Sequence, residues 1–147
     1  MSLDDFVDNL QAEIDTQALK DYGREAFERW KAPRWMGAMA DADAHGQVTG
    51  TCGDTMQIFF KIADGRVAAA SFLTDGCGPS VICGSFAAEM ICGRTLEDLA
   101  DFDGEQILER TGGLPEEDRH CAFLSAGAVR AALDDYMAHS AGRRPTD

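Results

Sequence analysis

The chain has 147 residues, 26 acidic and 13 basic, for a formal net charge of −13. Charge of that sign argues against nucleic acid or anionic membrane as partner, and no apolar run reaches the length needed to cross a bilayer. The length suits one domain whose core needs neither disulfides nor structural metal, and five cysteines, an odd number, do not read as a disulfide framework. Asp4 and Asp5 stand where a secretory leader would be positively charged, so the expectation is a cytoplasmic protein with reduced thiols.

In chain order, Leu3, Phe6, Val7 and Leu10 recur at helical spacing behind Ser2, with Asp5 placed to complete a cap. This predicts a short amphipathic helix within an extension over residues 1–21. A second helix is predicted from about Thr16 to Lys31, with Tyr22, Ala26, Phe27 and Trp30 on one face and Pro33 beyond its end. Residues 33–46 read as an irregular surface loop. Gln47 to Gly50 reads as a short strand. Thr55 to Ile62 and Arg66 to Thr74 are stronger ones, joined by Ala63-Asp64-Gly65, whose Asp-Gly pair signals a hairpin. After Pro79, the residues Val81, Ile82, Phe86, Met90 and Ile91 form the stripe of a mostly buried helix ended by Gly93. Thr95 with Asp98 and Asp103 with Gln106 look like caps of two short helices, Leu96 to Ala100 and Gly104 to Arg110. A last long helix is predicted from about Glu116 to His139, with residues 140–147 a disordered polar tail. No repeat or linker divides the chain, so the expected fold is a single α+β domain.

Three of the cysteines fall at the ends of elements. Cys52 lies at the entry to the hairpin, in Thr51-Cys52-Gly53-Asp54. Cys77 lies at its exit, in Asp75-Gly76-Cys77-Gly78-Pro79-Ser80, just outside the start of a helix, where unpaired amides and the helix dipole favour negative charge. Antiparallel strands return the chain to where it began, so Cys52 and Cys77 should be neighbours. The glycines flanking Cys77 are read as providing unusual backbone angles. Cys121, in Arg119-His120-Cys121, is not brought to the other two by spacing alone. Cys83 and Cys92, in and just after an apolar helix, read as packing residues.

The segments Cys52-Gly53-Asp54, Gly76-Cys77-Gly78 and His120-Cys121 together resemble the signature of the U-type iron-sulfur cluster assembly scaffolds, the IscU/NifU amino-terminal family. Tyr22, Pro33, Arg34 and Gly37 line up with a further family segment, with Trp35 in place of its asparagine. The resemblance implies a scaffold domain over residues 22–139, built as a three-stranded antiparallel sheet with helices packed on it. It also implies that Cys52, Cys77 and Cys121 are the cluster thiolates, with Asp54 and His120 beside them. Such proteins are carriers, not enzymes: a cysteine desulfurase supplies sulfur, iron joins it, and a 2Fe-2S cluster is built and passed to recipient apoproteins. Three thiolates with one harder ligand from Asp54 or His120 should release a cluster more readily than four thiolates would. The same set suits zinc, and the alternative is a zinc-bound sulfur acceptor of the SufU type. His120 stays open between a ligand and a helix-start residue, since neighbours on a helix point about 100° apart. Where the family often carries a chaperone-recognised Leu-Pro-Pro-Val-Lys stretch, this chain has Leu114-Pro115-Glu116-Glu117-Asp118. That departure argues against the chaperone contact and sets acids near the site, which should raise thiol pKa values unless Arg119 compensates.

Overall fold

A computed structural model describes residues 2–51 and 53–142, with side chains through residue 140. The order of elements is α1 (Leu3–Tyr22), α2 (Arg24–Lys31), β1 (Ala44–Thr49), β2 (Thr55–Ala63), β3 (Arg66–Thr74), α3 (Gly78–Ile91), α4 (Leu96–Ala100), α5 (Gly104–Thr111), a 3-10 turn (Glu116–Asp118) and α6 (His120–Gly142). The sheet is antiparallel in the order β1-β2-β3. β2 and β3 follow the predicted strands closely. Asp64 and Gly65 take positive φ angles of 55° and 76°, the pair a tight hairpin turn needs to match strand twist.

Period-two alternation puts Met56, Ile58 and Phe60 of β2 on the face covered by α3 and α6, where they meet Phe72, Phe86 and Val129 in one buried cluster. On the opposite face the ring of His45 stacks on Phe59 with centroids 4.5 Å apart. Ten of the fourteen residues of α3 are buried, so its apolar surface runs nearly all the way round. Both sheet edges are occupied. Along β3, the Gly37 N–H donates to the Phe72 carbonyl and the Phe72 N–H to that of Trp35, each at 2.9 Å. Further along β3, Val67 exchanges backbone bonds with Gly93 and Arg94. On β1, the His45 N–H donates to Asp135 Oδ2 of α6 at 3.1 Å.

Several boundaries differ from the sequence reading. The first helix does not stop near Leu10; it runs through Thr16 to Tyr22, and the break comes at Gly23, where φ is 86°. The Ser2/Asp5 capping box starts it as expected. β1 begins at Ala44, ahead of Gln47, because Gly46 lets the sheet meet the backbone of α6: a Cβ there would fall 2.2 Å from Ala132 N. The last helix starts at His120, not Glu116, since the Asp118 N–H turns back to the Pro115 carbonyl at 2.9 Å in a 3-10 turn. It continues through Gly142, where the polar composition predicts a tail from residue 140; residues 143–147 lie outside those described. Thr95 and Asp103 cap α4 and α5 as expected, accepting from the N–H groups of Asp98 and Gln106. Among the described residues no helix is long and apolar enough to cross a membrane.

Candidate functional site

The hairpin closes at the end that matters. Asp75 Oδ1 accepts from the Thr55 N–H at 2.7 Å, Thr74 Oγ1 donates to the Thr55 carbonyl at 2.7 Å, and the Gly76 N–H donates to Thr74 Oγ1 at 3.0 Å. These bonds tie the start of β2 to the end of β3 and set Asp54 beside the turn that carries Cys77.

Cys77 is the N-cap residue of α3, with φ −76° and ψ −174°, and is exposed; its side chain makes no capping bond. Its carbonyl accepts from the N–H groups of Ser80 and Val81, at 3.0 and 3.2 Å. The thiol is therefore presented outward from a fixed helix start.

The glycines on either side of Cys77 do not serve as the sequence suggested. Neither has a positive φ. They are needed for close approach: a Cβ on Gly76 would lie 2.6 Å from Ser80 Oγ and 2.9 Å from Asp54 Oδ2, and one on Gly78 would lie 2.9 Å from the indole nitrogen of Trp30. Gly53, by contrast, has a φ of 92°, the left-handed geometry that glycine accepts without strain.

Three elements meet at Ser80, which is completely buried. Its hydroxyl donates to Asp54 Oδ2 at 3.2 Å and lies 3.5 Å from Cys121 Sγ, and His120 Nε2 is 3.6 Å from the same sulfur. His120 is the first residue of α6, which follows the 3-10 turn after a helical Arg119. Burial pushes the Cys121 thiol from 9.0 up to about 11, opposed by the Ser80 hydrogen bond and helped by the charges of Cys77, Asp118 and Asp54. Of the acids before α6, Asp118 thus acts as anticipated, while the Arg119 guanidinium faces Glu105 and Glu116, each at 3.9 Å. Asp118 also accepts from the Tyr22 hydroxyl at 2.8 Å. That hydroxyl is held protonated well above its ordinary range by burial first and then by this bond.

Asp54, Cys77, His120 and Cys121 are thus at one corner, with Cys77 exposed and Cys121 buried; Cys52 lies outside the described residues. Among those residues no three His, Cys, Asp or Glu side chains are grouped to hold a metal ion. Cys83 is buried and its thiol strongly raised by burial, while Cys92 Sγ donates to the Ala88 carbonyl at 3.4 Å, so both are packing residues as expected. Sequence reasoning missed Ser80 and the position of Trp30 over Gly78. A serine in a first helical turn carries no distinctive signal, and its partner Asp54 lies 26 residues away.

The fold and this corner define a small α+β domain that gathers thiols and a carboxylate where a hairpin meets two helix starts. Residues 21–142 match the NifU-like N terminal domain, and the chain belongs to that family. It is 37% identical over 117 residues to the iron-sulfur cluster assembly scaffold protein IscU 1 of Archaeoglobus fulgidus, covering 79% of this chain and 76% of that one. It is 33% identical over 122 residues to the corresponding IscU scaffold protein of Haemophilus influenzae, covering 80% of this chain and 96% of that one. Among solved structures, the N-terminal NifU-like protein of Brucella abortus matches with a TM-score of 0.63 at 21% identity, covering 82% of this chain and 96% of that one, a likeness of fold.

Proposed function

We propose that this chain is a scaffold on which a 2Fe-2S cluster is assembled and from which it is handed to recipient proteins. One observation carries the reading. A carboxylate and a thiol from distant elements, Asp54 and Cys121, share one buried hydroxyl beside the outward thiol of Cys77, in a chain 37% identical to a protein named as such a scaffold. The cargo ligands are Cys52, Cys77 and Cys121, with Asp54 as oxygen donor and His120 beside it.

Sulfur arrives by exchange. The Cys77 thiolate attacks the outer sulfur of a persulfide on a cysteine desulfurase, the S–S bond breaks, and the desulfurase leaves as its thiolate while Cys77 becomes the persulfide. Reduction of that sulfur to sulfide takes two electrons from a separate reductant. Cys52, Cys77, Cys121 and Asp54 would hold the iron that joins the sulfide, and each thiol would give up its proton on ligation. The chain acts as a carrier, not as an enzyme, in the cytoplasm. Its acidic Glu116-Glu117-Asp118 run gives no footing to the chaperone that reads a lysine there.

The test is anaerobic reconstitution with ferrous iron, cysteine, a desulfurase and a thiol reductant, followed by iron and sulfide analysis. The wild-type chain should take up iron and sulfide in equal amounts. Cys52→Ala, Cys77→Ala and Cys121→Ala should lose them, and Cys83→Ala and Cys92→Ala should keep them. Loss confined to the Cys83 and Cys92 variants refutes the ligand set. Uptake of zinc alone, with faster desulfurase turnover, moves the chain to the sulfur-acceptor function.

A further inference from the structure

We infer that Ser80 is a positioning residue: its buried hydroxyl holds the Asp54 carboxylate over the Cys121 thiol, so that the oxygen and sulfur donors are aligned before metal arrives. The inference rests on the reading of Asp54 and Cys121 as cargo ligands.

Four features of the structure support it. First, Ser80 is itself fixed, because it is wholly buried and its own N–H is bonded to the Cys77 carbonyl at 3.0 Å in the first turn of α3. Second, its hydroxyl reaches two donors that no backbone element joins: Asp54 precedes β2 and Cys121 opens α6. Third, a carboxylate only accepts, so the Ser80 proton goes to Asp54, and the same oxygen lies 3.5 Å from Cys121 Sγ, one hydroxyl touching both donors. Fourth, space is cleared for this bond. Gly76 lies against both oxygens, and a Cβ there would displace Ser80 Oγ or Asp54 Oδ2.

Asp54 sits at a loop-to-strand junction and is half-buried, with its carbonyl accepting from the Gly50 N–H at 2.8 Å. Its backbone is anchored, and the Ser80 hydroxyl donates to its carboxylate at 3.2 Å. Without that hydroxyl the carboxylate is free to swing into water, and metal binding has to restrain it. Groups that orient metal ligands in this way typically account for about 10–100-fold in affinity.

The experiment uses the full chain and zinc as the probe, with dissociation constants from competition against a chromophoric chelator and unfolding midpoints for every variant. Ser80→Ala should weaken zinc binding by roughly tenfold or more. In an Asp54→Ala background the same substitution should have no further effect, because the carboxylate it positions is gone; a merely structural role would give the same loss in both backgrounds. Gly76→Ala should imitate Ser80→Ala in affinity. The inference is overturned if Ser80→Ala binds zinc as the wild type does, or if its loss is equal with and without Asp54. If the wild-type chain takes up neither zinc nor iron, the scaffold reading fails and this inference with it.

Discussion

The tip and the middle of α3 carry two cysteines six residues apart that live in opposite surroundings. Cys77 caps the helix and faces solvent, three residues before the Ser80 hydroxyl that meets Asp54. Cys83, fully buried, is walled in by the core that α3 shares with β3 and α6, and burial keeps its thiol protonated. The contrast shows that placement, rather than residue type, separates an accessible sulfur from a packing one. A helix start has amide groups to spare and room for a ligand, and a helix centre has neither.

The sharpest way to break the comparison is to damage the middle. Phe86 is 1% exposed, and the Arg29 guanidinium lies 4.0 Å from the centre of its ring. Phe86→Ala should therefore cost about 3–5 kcal/mol in denaturant unfolding, leaving a cavity beside a buried cation. Overfilling should cost less. A Cβ on Gly84 would lie 2.3 Å from Phe72 Cδ2, so Gly84→Ala should lose about 1–3 kcal/mol.

Raising the pH tests the same division through protons. A thiol held neutral by burial keeps its proton more tightly folded than unfolded. Its contribution to stability is intact below the unfolded pKa and declines as pH rises beyond it. For Cys121 that window runs from 9.0 to about 11, and Cys83 and Tyr22 act in the same direction. Unfolding midpoints should fall between about pH 9 and about pH 11, and fall less in Cys121→Ser; a flat profile would contradict the assigned burial. At the tip the expected change in stability is smallest. Cys77→Ser should stay within about 0.5 kcal/mol of the wild type. Iodoacetamide should label Cys77 in the native protein and Cys83 only after unfolding.

Much of the middle was readable from the chain. The alternation in Thr55–Ala63, the Asp64-Gly65 turn and the caps at Thr95 and Asp103 are local signals, and they gave strands, hairpin and helix starts nearly where they stand. What escaped was decided by contacts between distant segments. Pro33 marked the end of α2, yet the Gly23 break before it was overlooked, since a glycine within a helical pattern is often tolerated. The glycines around Cys77 announced a special turn, but their reason, crowding by Ser80, Asp54 and Trp30, has no trace in local sequence. The gathering of Cys121 with Asp54 followed from family resemblance, not from spacing.

The closed edges of the sheet have a consequence for how this chain can meet another. A three-stranded sheet ordinarily offers two open borders on which another chain can lay a strand and begin cross-β stacking. Here one border is sealed by the backbone of residues 35–37 and 93–94, and the other is blunted by the Asp135 carboxylate on the His45 amide. A second chain laid along either border would first have to displace those bonds before it could add a strand.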